Sequence, residues 1–172
     1  MSPSPNEVVT SHVLEFTKVS NPGRSYKRSA AWNLFDRGTT QLTSLEIGQE
    51  FATPITIGGQ IFEVIVDTGS SDTWVVESGF ECVDVFNSSD VVAESQCGFG
   101  PTYNSSSSFK VIEGELFNIT YGDGEFLNGI MGTDKVSLGG IEVDQEISLV
   151  NYAGWFGDGV TSGLVGLAFP AL

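Results

Sequence analysis

The sequence predicts an all-β chain, and three observations carry that prediction. Glycine occupies 21 of 172 positions alongside 12 phenylalanines, a composition of turns and aromatic strands. Short alternating apolar stretches are separated by glycine pairs at Gly58-Gly59 and Gly139-Gly140. Helical periodicity is almost absent, since only residues 29–35 fit even a short helix. At 40% apolar residues the chain can bury one sizeable core, which excludes disorder and coiled coil.

Residues 1–44 lack strong periodicity, apart from a short strand at 13–16, and are expected to form an N-terminal extension. From Leu45 the pattern turns to strands, so a second unit is placed at 45–172. Residues 51–57, Gly58-Gly59 and residues 60–66 read as a hairpin on a two-residue turn whose second strand runs into Asp67. Residues 77–108 are polar, bracketed by Cys82 and Cys97, and end in Ser105-Ser106-Ser107-Ser108; they read as surface loops, with the serine run facing solvent. Strands resume at 109–112, 115–120, 129–138 and 141–150, with Tyr121-Gly122-Asp123-Gly124 as a further turn. Residues 163–169 form a last apolar run with small residues.

The formal charge of −15 argues against nucleic acid as a partner, because seven basic residues cannot supply a phosphate-binding surface. No run approaches the 18 or so apolar residues of a membrane span, so no membrane partner is expected either. Five of the seven basic residues, Lys18, Arg24, Lys27, Arg28 and Arg37, precede residue 45 beside three carboxylates, giving that segment +2 and the remainder −17. A basic leader and an acidic body should attract each other, and acid would relieve the self-repulsion of the body. Cys82 and Cys97 bracket a loop rich in turn formers, so a disulfide is expected, and with it an oxidising compartment; two reduced thiols are the alternative. With His12 as the one histidine there is no zinc-ligand spacing, and neither metal nor cofactor is expected. Triplets at Asn87, Asn104 and Asn118 are candidate glycosylation acceptors and fit passage along a secretory route, although no signal peptide is visible at the start.

The chemistry centres on Val64-Ile65-Val66-Asp67-Thr68-Gly69-Ser70, where an apolar strand delivers a carboxylate into a turn of small residues. Gly69 permits close approach by a ligand, and Thr68 and Ser70 can hold the carboxylate by short hydrogen bonds. Such an aspartate suits general acid and base work. It equally suits a strand-ending turn in which it bonds only its own backbone.

Asp67-Thr68-Gly69-Ser70-Ser71 followed by Thr73-Trp74-Val75-Val76 resembles the active-site run of the pepsin-like aspartic endopeptidases. Three further pieces follow in that family's order or precede the loop as it does. Tyr121-Gly122-Asp123-Gly124 resembles the flap that closes over a bound peptide, Gly163-Leu164-Val165-Gly166-Leu167-Ala168-Phe169-Pro170 resembles the segment beneath the catalytic loop, and Thr53-Pro54-Ile55-Thr56-Ile57-Gly58 resembles the strand and glycine turn before it. The resemblance covers residues 45–172 and implies the N-terminal lobe of the pepsin-like acid protease fold.

What it implies chemically is peptide hydrolysis by a water held between two aspartates, of which Asp67 is one. Because like charges so close cannot both ionise, such a pair shares a proton and works in acid. Thr68, Gly69, Ser70 and Trp74 would support the loop. Tyr121 would close on substrate and bond the Trp74 ring nitrogen, and Gly69, Gly122 and Asp123 would bond substrate backbone. The expected partners are a peptide or protein substrate and a C-terminal lobe supplying the second aspartate. The basic leader resembles a prosegment, which implies a zymogen, and the implied setting is secreted or an acidic vacuole-like or lysosome-like compartment.

Departures from the family pattern weigh against this. Ser162 stands where the family commonly has an acid, the cysteine loop is long, and no second Asp-Thr-Gly or Asp-Ser-Gly occurs in the 172 residues. The chain stops at Leu172, before the family's first lobe ordinarily ends, so an incomplete lobe is expected. A catalytically silent peptide-binding module and a homodimer building the pair from two copies of Asp67 are the alternatives.

Overall fold

The structure is a computed structural model that describes residues 15–18, 38–45 and 49–169. Among these residues there are nine strands and one short 3₁₀ turn, Glu94–Gln96. The strands are β1 (Glu15–Lys18), β2 (Thr39–Leu45), β3 (Glu50–Ile57), β4 (Gln60–Asp67), β5 (Thr73–Cys82), β6 (Lys110–Thr120), β7 (Phe126–Leu138), β8 (Ile141–Gly154) and β9 (Gly163–Gly166). The chain is thus all-β. The helix expected at 29–35 lies outside the described residues, as do residues 13 and 14 of the expected first strand. Its remainder falls in β1, which pairs in parallel with β2.

The sheet runs β1-β2-β3-β4-β9-β5-β8-β7-β6, and β3 also pairs with β7 through Thr56↔Ser137 and Ile57↔Val136, so the sheet folds back on itself. The β3–β4 hairpin turns on Gly58 and Gly59, both at positive φ (56° and 80°), which side chains other than glycine adopt only under strain. At Gly58 a Cβ would also fall 2.5 Å from the Asp134 carboxylate. Two apolar clusters fill the fold. One packs Ile55, Ile57, Val64 and Leu149. The other packs Trp74, Phe80, Leu127, Val150 and Trp155.

Residues 77–108 are more structured than the surface loops their polarity predicts. Strand β5 continues to Cys82, Phe80 is buried, and Tyr103 docks beside β5 through Tyr103 N–H to Val76 O (2.8 Å) and Ser78 N–H to Tyr103 O (2.8 Å). In the serine run Ser105 and Ser107 are exposed as expected, whereas Ser106 and Ser108 are half-buried. Ser106 Oγ donates to the buried Asp134 carboxylate at 3.2 Å, and the Tyr103 hydroxyl donates to it at 2.7 Å. A buried charge needs such donors, and the hydroxyls of a polar loop are what reaches it. The expected strands at 109–112 and 115–120 are one strand, β6, irregular between Val111 and Leu116, where Gly114 takes positive φ.

Cys82 and Cys97 form a disulfide with Cα atoms 6.0 Å apart. It ties the end of β5 to the 3₁₀ turn.

Candidate active site

The site is built where β4 ends. The apolar run of β4 carries Asp67 out of the core, and β9 lies between β4 and β5, parallel to the first (Asp67↔Gly166) and antiparallel to the second (Thr73↔Val165). Residues 68–72 therefore arch over the end of β9. Three backbone bonds fasten this arch from below: Leu167 N–H to Asp67 O (2.7 Å), Ala168 N–H to Ser70 O (2.9 Å) and Gly166 N–H to Asp72 O (3.0 Å). The small residues of the last segment follow from this crossing. A Cβ on Gly166 would sit 2.6 Å from Asp72 O, and one on Gly163 would sit 2.1 Å from Trp74 O.

Both oxygens of the Asp67 carboxylate are held within the arch. Oδ1 accepts from Gly69 N–H at 2.7 Å and Oδ2 from Ser70 Oγ at 2.6 Å. Thr68 and Gly69 are exposed, and Asp67 and Ser70 are half-buried. The carboxylate is thus oriented by short charge-assisted bonds yet open to solvent on one side. The expected bond from Thr68 to the Asp67 carboxylate is not among those formed; Thr68 is exposed.

Residues 121–124 form a turn closed by Tyr121 N–H to Glu125 O (2.7 Å) and Gly124 N–H to Tyr121 O (3.1 Å). Gly122 and Asp123 are exposed at its tip, and Asp123 Oδ1 accepts from Glu125 N–H at 3.1 Å. Trp74, fully buried at the start of β5, donates its ring N–H to the Tyr121 hydroxyl at 3.1 Å. Trp155 packs edge-on against both rings, with centroids 5.4 Å from each. Burial pushes the Tyr121 hydroxyl up to about 12; the bond from Trp74 opposes this, and the charges of Asp67, Asp72 and Glu125 add to it. Tyr121 therefore stays protonated, and with Trp74 donating to its oxygen, its own hydrogen is available to another acceptor.

Glu125 and Trp155 are not legible in the sequence, and Ser162 is legible there only as a departure from the family pattern and not as a buried group. Glu125 is only 8% exposed, and its Oε1 accepts from Phe156 N–H at 2.6 Å. Trp155 walls the Tyr121 ring. Ser162 is wholly buried; its backbone joins Glu63 O and Val76 N–H, and its Oγ has no hydrogen-bond partner among the described residues. A glutamate beside a turn looks like a solvated flank, and only a segment about thirty residues later reveals the partner of Glu125.

Asn87, Asn104 and Asn118 are all exposed. Among the described residues no group of three or more His, Cys, Asp or Glu side chains could hold a metal ion, and no helix is long and apolar enough to cross a membrane.

The profile of the eukaryotic aspartyl protease family matches residues 50–172, the stretch that builds the arch, its underlying strand and the Tyr121 turn. The chain belongs to that family. It is similar to a probable aspartic-type endopeptidase of Aspergillus fumigatus, 47% identical over 171 residues, covering 99% of this chain and 39% of the relative. It is also similar to penicillopepsin-1 of Penicillium janthinellum, 34% identical over 131 residues, covering 72% of this chain and 36% of that protein. Secreted aspartic protease 8 of Candida albicans is 35% identical over 136 residues, covering 77% of this chain and 32% of that protein. The chain therefore spans about two-fifths or less of the length of these relatives.

Proposed function

We infer that this chain supplies one half of the active site of an aspartic-type endopeptidase, with Asp67 as one of two aspartates that activate a water. The observation that carries this reading is the Asp67 carboxylate held on both oxygens by Gly69 N–H and Ser70 Oγ. In the turns at Asp84 and Asp158 the bonds from within the turn fall on one carboxylate oxygen, whereas at Asp67 each oxygen has its own donor.

The second aspartate comes from a C-terminal lobe elsewhere in a longer protein. The pair holds the water between them; one carboxylate takes its proton while the other, protonated, donates to the scissile carbonyl. The carbonyl carbon becomes tetrahedral without any covalent bond to the enzyme; the proton taken from the water then passes to the nitrogen, the C–N bond breaks, and the amine and the new carboxyl group are released. Tyr121 is the flap residue in this reading, and its bond with the Trp74 ring N–H supports that role. Gly69, Gly122 and Asp123 present exposed backbone to the substrate.

An acid and oxidising setting, outside the cytosol, fits the disulfide, the net charge of −15 and the name of the Candida relative. Residues 1–44 act as a basic prosegment of a zymogen in this reading, and Asn87, Asn104 and Asn118 carry glycans. Expressing the segment together with the remainder of its longer protein and assaying a peptide mixture at acid pH, with and without Asp67→Asn, tests the assignment. Equal cleavage by both proteins would remove Asp67 from the chemistry.

A further inference from the structure

The β7–β8 ladder ends at Phe126↔Gly154, one residue short of Glu125 on one side and two short of Phe156 on the other. Beyond that pair the two strands part. One leads into the turn that carries Tyr121, the other into the Trp155 wall. At that fork Glu125 is bonded through both its backbone and its side chain. Its carbonyl takes Tyr121 N–H (2.7 Å), its N–H goes to Asp123 Oδ1 (3.1 Å), and its buried carboxylate takes Phe156 N–H (2.6 Å). The side chain thus carries the pairing on where the backbone ladder stops. A carboxylate is an expensive group to bury for a job that many smaller acceptors could do at a surface.

We propose that Glu125 is a positioning residue for Tyr121: its carboxylate pins the base of the 121–124 turn to the Trp155–Phe156 segment, and so fixes where Tyr121 meets Trp74. The inference rests on reading that turn as the substrate flap, but its test reads flap geometry and not cleavage, so the two fail separately.

The pin has a built-in dependence on acid. Burial, opposed by the Phe156 bond and reinforced by the charges of Asp123 and Glu50, pushes the Glu125 carboxyl from 4.5 up to about 7. Asp123 lies in the same turn, Glu50 begins β3, and the Tyr121 hydroxyl also senses Glu125. On the other flanks Trp155 and Phe156 are uncharged, and Asp84, next to the Val85 that approaches Gly124, accepts from Phe86 and Asn87 N–H in its own turn. A released, solvated Glu125 would titrate near 4.5. The packed arrangement therefore holds the proton more tightly, and the balance moves toward release as pH rises from 4.5 to about 7, by up to about 300-fold at tenfold per pH unit.

The test is NMR of the isotope-labelled full chain between pH 4.5 and 8, following hydrogen exchange of the Trp74 ring N–H and the Phe156 amide, with β3–β4 amides as the control for folding. Expected is a progressive loss of protection at both probes in the wild type as pH rises from 4.5 to about 7, levelling off above it, while the β3–β4 amides hold. Glu125→Gln, which keeps an acceptor but cannot ionise, should retain protection at both ends of the range, and Glu125→Ala should lose it throughout. Parallel loss of protection in wild type and Glu125→Gln would overturn the proposal, as would an Ala variant, folded by its β3–β4 amides, that leaves the Trp74 probe unchanged.

Discussion

Replacing Glu125 by glutamine should make the protein more stable at neutral pH and leave it nearly unchanged in acid. The folded state raises this carboxyl from 4.5 to about 7, chiefly by burial, so the folded protein binds the proton more tightly than the unfolded chain. The stability this contributes is present below 4.5 and is lost as pH climbs from 4.5 to about 7. At about 1.36 kcal/mol per pH unit the loss is about 3 kcal/mol, a large fraction of the roughly 5–15 kcal/mol that holds an ordinary domain together. Glutamine keeps an oxygen for Phe156 N–H and carries no charge at any pH. The other carboxylates affect both proteins alike, so the difference between variant and wild type isolates this site. Urea unfolding at pH 4.5 and pH 8 is the assay. Expected are unfolding free energies within about 1 kcal/mol of each other at pH 4.5 and a variant more stable by up to about 3 kcal/mol at pH 8. A difference independent of pH, or a variant destabilised at pH 8, would refute the reasoning.

Removing the disulfide by Cys82→Ala with Cys97→Ala should cost about 3 kcal/mol, the chain-entropy value for a loop of 15 residues, read as a lowered urea midpoint. Gly166→Ala should cost more than about 2 kcal/mol and disturb the Asp67 arch, because its Cβ would meet Asp72 O at 2.6 Å and neither backbone can yield; the Gly69 amide resonance reads the disturbance. Asp134 is buried, which favours its protonated form, yet hydrogen bonds from Ser108, Tyr103, the Lys135 amide and Ser106 outweigh burial and hold its carboxyl below 3.8. Its stabilising share is therefore present above 3.8 and lost as pH falls below that value, and Asp134→Asn should flatten the acid limb of the stability curve while costing about 2–4 kcal/mol at pH 6. Ser162→Ala removes a buried hydroxyl that has no partner among the described residues, so it should be neutral or stabilising by up to about 1 kcal/mol in thermal unfolding.

The parts of the fold legible in the sequence are those whose cause is local. Gly58-Gly59 between two alternating runs specifies a hairpin, and an apolar strand ending in Asp67-Thr68-Gly69 specifies a carboxylate in a tight turn. Strand β2 escaped because Thr-Thr-Gln-Leu-Thr-Ser-Leu offers little apolar alternation, and it is recruited by pairing with β3. The pairings of β9 with β4 and with β5 join segments about ninety to a hundred residues apart, and only the close approach of Trp74 and Asp72 explains why the last apolar run carries Gly163 and Gly166. Residues 77–108 misled by composition: their polarity is real, yet Phe80, Cys82, Cys97 and Tyr103 are core residues, and Ser106 serves a buried charge. Glu125 was invisible for the same reason. Its burial depends on the Trp155–Phe156 segment, and no local pattern distinguishes a pinned glutamate from a solvated one.

The central claim is that the oriented carboxylate of Asp67 is one half of a proton-sharing pair. The most direct measurement is kcat/KM for peptide hydrolysis from pH 2 to 8, made on the segment joined to the rest of its longer protein, for wild type and Asp67→Asn. The wild type should show a bell with its optimum in acid, and Asp67→Asn should lie roughly 10³-fold or more below it at every pH. Hydrolysis by Asp67→Asn within tenfold of wild type would contradict the account.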